Sequence, residues 1–337
     1  MTRKLLFLMR FLAFPCLAFG GQWLWMQQHD PTSWSSLVWI PVLTYCWFCV
    51  GGLSHELIHQ NLPPGPIASR VLGNTIGFAI GIPYTVYREV HMRHHAYLNT
   101  PLDWELWPYS DPHASLKFRR MFLGFDLLCG SLATPLIWGR ICFSRRSPAK
   151  PEMIRRMQRE YAMMFAAWLA TAAWLTWQVN AGMIQLSKAM LIYSLPLVLA
   201  ANCNSIRKIM EHVGTSSLDP LQGTRTIIGR SWVTRLLSFF DFDLSVHGPH
   251  HRYPKLSHDN LKNRMQELRQ QDPDRSYPIY SSFTAALWDT AKAVWKNPGV
   301  GVNAGCPDDL SHLPGLNERY VPRDGEHVLS QPSVTAT

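Results

Sequence analysis

PTSWSSLVWIPVLTYCWFCVGGLSHELIHQ (residues 31–60) runs from Pro31 to Ser54 without an Asp, Glu, Lys, Arg or His, then sets His55 and His59 four positions apart. About 20 apolar residues suffice to cross a bilayer as a helix. Side chains at i and i+4 share one helix face. The segment therefore reads as a membrane helix that ends in two neighbouring imidazoles.

Three further stretches lack Asp, Glu, Lys, Arg and His over a similar length: Phe11 to Gln28 (extended by Leu5 to Met9 past Arg10), Tyr161 to Ser187 and Ala189 to Ile206. Buried helices of soluble domains rarely run so far without a charge. Several of the 14 Trp lie near the ends of these runs, as an interfacial belt requires. The expectation is an all-α integral membrane protein with about four transmembrane helices, near 5–28, 33–54, 161–180 and 189–206. The first run lacks a clear small-residue cleavage site and is read as a retained helix. The apolar but Gly- and Pro-broken segments 71–87 and 121–139 are expected to be interfacial or re-entrant helices. Residues 1–304 form the expected membrane domain, and 305–337 a polar, flexible tail.

The net charge of +9 follows the topology. Arg3, Lys4 and Arg10 precede or begin the first run, 13 Lys and Arg lie between 54 and 160, and 15 lie beyond 206. The connections 27–36 and 180–187 carry none. The positive-inside rule puts both termini and the long polar segments in the cytoplasm. The basic residues are spread over loops without a nucleic-acid-binding motif. Seven Cys form no disulfide framework, and the "CWFC" at 46–49 sits inside an apolar run without the βαβ context of a redox motif.

Histidine carries the chemistry. Besides His55 and His59, "HMRHH" supplies His91, His94 and His95, and "HGPHH" supplies His247, His250 and His251. Eight of the 14 His thus fall in three five-residue windows. His212, in "KIMEHVG", follows the fourth apolar run much as His55 follows the second. His29, His113, His258, His312 and His327 have no comparable context. The nine can meet at one cytoplasmic membrane face. They exceed the four ligands of one tetrahedral zinc but suffice for two metals, and imidazole sites with open positions suit iron.

The spacings H-x3-H, H-x2-HH and H-x2-HH around paired membrane runs resemble the membrane fatty acid desaturase and hydroxylase superfamily, which includes alkane hydroxylases and carotenoid ketolases. "HGPHHRYPKLSHDNL" (247–261) is similar to its third histidine box, "HHAYLNTPLD" (94–103) to the stretch after its second, and "EHVG" (211–214) to its extra His segment. The resemblance covers roughly 40–261. It implies a helical membrane domain with a cytoplasmic cap and a non-haem di-iron centre held by His55, His59, His91, His94, His95, His212, His247, His250 and His251. It also implies O2 as co-substrate, a fatty acyl or lipid substrate, and electrons from a separate ferredoxin, rubredoxin or cytochrome b5 type carrier with its reductase. Asp103, Arg207, Glu211 and Asp243 are candidates to orient the ligand rings, since ligand imidazoles usually donate their other N–H to a carboxylate or carbonyl. Lys208 stands where acyl-CoA desaturases of the animal type place an Asn.

Desaturation of an acyl chain is the leading expectation, with hydroxylation or ketone formation on the same scaffold as the alternative. His55-Glu56-Leu57-Ile58-His59 is also a literal H-E-x-x-H, the zinc peptidase pattern with Glu as general base, and Asp219 in "LDP" is its one candidate third ligand. That reading leaves seven clustered histidines without a role. A metal transporter would place ligands within the spans near mid-membrane, whereas these lie at one end.

Overall fold

The computed structural model describes residues 11, 14, 16–25, 33–60 and 65–306. Its helices are α1 (Ser36–His59), α2 (Pro66–Ile80), α3 (Tyr84–Ala96), α4 (Leu116–Leu128), α5 (Gly130–Phe143), α6 (Pro151–Asn180), α7 (Leu186–His212), α8 (Trp232–Phe240), α9 (His247–Arg252), α10 (His258–Gln271) and α11 (Phe283–Lys296). The only strands among the described residues are β1 (Thr226–Ile227) and β2 (Ile279–Tyr280), a short parallel pair in the region after α7.

Among the described residues, α1, α6 and α7 are long and apolar enough to span a membrane. Each runs past its charge-free window. At 1.5 Å per residue, 24 residues make α1 about 36 Å long, beyond a hydrocarbon core of about 30 Å. Its polar end can therefore stand outside the core. α6 begins at Pro151, whose missing N–H costs nothing in a first turn, and a basic turn leads into its apolar half. The first expected span, near 5–28, falls partly outside the described residues, and residues 16–25 within it are helical. The expected tail lies outside them from residue 307 onward.

The two broken apolar segments become helix pairs rather than spans. α2 stops at Gly81 (φ 79°), a left-handed position that favours glycine, and α3 starts after Pro83. α4 gives way to α5 at Cys129. At 13–15 residues each, about 20–23 Å, none of the four reaches across the core.

Polar residues join these pieces where hydrogen bonds would otherwise be lost. Pro196 has no N–H to offer the carbonyl of Ile192, next to a π-helical turn at Met190–Ser194. Gln22 Nε2 donates to that carbonyl instead, at 3.1 Å. At the α4–α5 break, Asn202 of α7 accepts from Gly130 N (2.8 Å) and donates to Leu128 O (3.1 Å). Glu160 of α6 accepts from Thr85 N and Oγ1 at the start of α3 (3.0 and 2.7 Å) and from Arg70 of α2 (2.8 Å). Lys208, in its departure from the Asn pattern, pairs with Asp126 of α4 at 2.7 Å. An apolar core including Val50, Leu57, Val90, Ile137 and Ile209 fills the space between these contacts.

Candidate metal centre

Most of the histidines sit at helix ends. His59 and His212 are the last residues of α1 and α7; His94 and His95 lie in the last turn of α3, and His250 and His251 in that of α9. The C-terminal end of a helix carries partial negative charge and favours a cation. Several such ends converge here.

All nine expected histidines come together, in two groups. His55, His59, His91, His95 and His250 form one; His94, His212, His247 and His251 form the other. Within each group the candidate ligand nitrogens all lie within 4.8 Å of one another. Nε2–Nε2 separations are 3.0 Å for His95–His91, 3.1 Å for His250–His95, 2.7 Å for His247–His212 and 3.0 Å for His251–His247. Neighbouring ligands at right angles around an ion with metal–nitrogen bonds of about 2.1 Å would stand about 3 Å apart.

Contacts behind the rings fix their tautomers. His91 Nδ1 lies 2.8 Å from Glu105 Oε2, and His94 Nδ1 2.8 Å from Asp103 Oδ2. His247 Nδ1 lies 3.1 Å from Leu244 O. Carbonyls and ionised carboxylates only accept, so Nδ1 is the donor in each case and Nε2 is the nitrogen left to meet a metal. Asp103 is held in turn by the backbone N–H groups of Asn99, Glu105 and Leu106. Burial would raise the Glu105 carboxyl, but His91 and His94 hold it down at about 2, as a carboxylate. Burial and neighbouring rings keep His95, His247, His250 and His251 well below the usual imidazole range, in the neutral form that binds metal. His59 Nε2 is buried without a hydrogen-bond partner, and the clustered Nε2 atoms have one another for neighbours. Buried lone pairs facing one another are costly unless a cation lies between them. The donor set fits a transition-metal ion in each group.

Of the four residues expected to orient rings, Asp103 meets His94 at 2.8 Å, and Glu211 stands 3.5 Å from His247 Nδ1, whose proton goes to Leu244 O. Arg207 instead pairs with Asp241 at 2.7 Å, and Asp243 accepts from Ser238 and pairs with Lys262, each at 2.7 Å. Glu105, which serves His91, was not singled out by the sequence; it stands two residues beyond Asp103 with no spacing to mark it. His258, which has no histidine neighbour in sequence, is buried against Glu56 at 3.2 Å. Asp219 pairs with Arg275 and belongs to neither histidine group. The H-E-x-x-H pair therefore sits among other imidazoles, with its Glu turned to a tenth histidine.

A cavity of about 370 Å³ opens between α1, α5 and α7, with apolar walls that include Trp47, Ile82, Trp138 and Leu197. Glu105 and Tyr87 also line it, so it abuts the carboxylate that holds His91. Its volume is that of a small-molecule site.

The family model for fatty acid desaturase matches residues 32–283. The chain is also 24% identical over 274 residues to an omega-3 fatty acid desaturase, endoplasmic reticulum, of Nicotiana tabacum, covering 72% of this chain and 68% of that protein. The chain belongs to the fatty acid desaturase family. It is a membrane protein and a desaturase-type oxidoreductase, and the family implies a lipid acyl substrate.

Proposed function

We propose that the chain introduces a double bond into a fatty acyl chain in an O2-dependent reaction at two iron ions, with electrons from a separate carrier protein. The single observation that carries this reading is the convergence of nine imidazoles, eight of them buried, into two adjoining groups of five and four. The five-membered group exceeds the ligand number of a tetrahedral zinc, and all-imidazole donors with further open positions suit iron. Bound iron supplies the redox chemistry with O2 that removing hydrogen from an unactivated C–H bond requires.

The chain's own residues do the rest. Apolar walls of the cavity bind a hydrocarbon chain and exclude water. Glu105 and Asp103 keep the Nδ1 protons of His91 and His94 in place, so that both rings present Nε2. The histidine-bearing helix ends lie on the cytoplasmic side, a placement supported by the distribution of Lys and Arg, where a soluble carrier of the ferredoxin, rubredoxin or cytochrome b5 type can reach them.

Elemental analysis of protein purified from membranes without added metal tests the centre: two irons per chain are expected, and one zinc without iron would overturn the reading. Lipid profiling of expressing cells tests the outcome, with new double bonds expected and new hydroxyl groups arguing for the alternative product.

A further inference from the structure

Glu56 and His258 are each only 2% exposed, and they come from opposite ends of the chain's histidine-bearing region. Glu56 Oε2 lies 3.2 Å from His258 Nδ1, and Glu56 Oε1 lies 3.5 Å from His55 Nδ1. One carboxylate therefore stands between a ring of the five-histidine group and a ring belonging to neither group. His55 Nδ1 is buried and makes no hydrogen bond, and this carboxylate is the acceptor that faces it. On the other side of His258, Nε2 lies 3.2 Å from Asp259 Oδ1, and the ring meets Phe242 edge-on at 5.2 Å.

We infer that His258 is a positioning residue: it anchors the Glu56 carboxylate, which in turn orients His55 for the metal of the five-histidine group. This rests on the metal reading above and extends it to a residue outside both groups. A buried carboxylate without a partner is costly and turns to whatever donor it finds. With one oxygen tied to His258, the other is left facing His55 Nδ1. A proton fixed there leaves Nε2 as the ligating lone pair. His258 opens α10, whose Leu261 and Met265 pack on Val246, the residue before α9. The same helix thus seats the segment that carries His247, His250 and His251 and sets a ring against Glu56.

The test compares His258→Asn with His258→Gln in the full-length protein. Asn places an amide donor near the position of Nδ1, and Gln carries its amide further out, near that of Nε2. Both keep a buried polar group. The readouts are iron release under chelator challenge and the Mössbauer spectrum of the 57Fe-loaded protein. His258→Asn is expected to behave as wild type. His258→Gln is expected to release one of its two irons about tenfold faster, in the range that outer contacts of ligand histidines usually contribute, and to shift the signal of that iron alone. Equal behaviour of the two variants would overturn the inference, whether both match wild type or both lose iron alike, because packing alone does not distinguish the two amide positions. A wild-type protein without two irons would overturn the metal reading itself, before any variant is compared.

Discussion

His95 and His251 stack with ring centroids 4.2 Å apart and planes 21° from parallel. They belong to different histidine groups, so the two candidate sites share a wall. The stack predicts unequal effects of single substitutions. His59→Ala, at the outer end of α1, should lower iron from about two per chain to about one. His95→Ala should lower both, because His251 loses the ring it rests on. Metal analysis of the two purified variants separates these outcomes; equal loss would show that the stack does not couple the sites.

The carboxylates behind the rings predict a graded loss. Asp103→Asn keeps an oxygen acceptor but loses the charge on His94, and Glu105→Gln does the same for His91. Each should weaken metal retention or turnover by about 10- to 100-fold. Arg207→Lys and Asp243→Asn, which alter residues paired elsewhere, should retain both irons. Chelator titration of the four variants provides the comparison.

Burial of neutral imidazoles predicts acid sensitivity in the metal-free protein. His95, His247, His250 and His251 are held well below the usual imidazole range when folded. Once the pH falls below about 6.5, the unfolded chain binds protons that the folded chain refuses, so stability falls as pH falls. Each ring contributes about 1.4 kcal/mol per pH unit in that window. The Tm of metal-free protein in detergent should drop between pH 7.5 and 5.5, whereas iron-loaded protein should hold its Tm until protons displace the metal. A flat profile for the metal-free form would contradict the buried, neutral assignment.

Lys208 and Asp126 predict a non-additive pair. Asp126 is fully buried and Lys208 nearly so. Lys208→Met leaves a buried carboxylate without its cation, with the Tyr109 hydroxyl as its remaining donor at 3.1 Å, and should cost about 3 kcal/mol. The double variant Lys208→Met/Asp126→Asn removes both charges and should recover most of that loss. Thermal unfolding of the single and double variants in one detergent checks the cycle, and an additive result would show that the pair contributes little.

The parts of this architecture that repeat locally were legible in the sequence. The spacing within HELIH, HMRHH and HGPHH is a property of single helices, and the charge-free runs of α1, α6 and α7 are a property of the bilayer. His212 could be placed because it follows its span as His55 follows its own. What escaped were contacts made only by tertiary closure. Glu105 and His258 have no periodic companions, and their partners His91 and Glu56 lie 14 and 202 positions away. Arg207 and Asp243 stand near histidine segments in sequence, yet folding pairs them with Asp241 and Lys262. Helix bounds also ran beyond the apolar windows, since polar residues are excluded only from the hydrocarbon layer.

Because the ligands sit at helix ends rather than within the spans, entry into the bilayer and completion of the centre are separable events. Hydropathy alone can seat α1, α6 and α7 before any ion arrives. On the proposed reading, the ions would then act as rivets, locking helix ends that the apolar core already brings close. Metal supply would then set how much of the inserted protein is riveted.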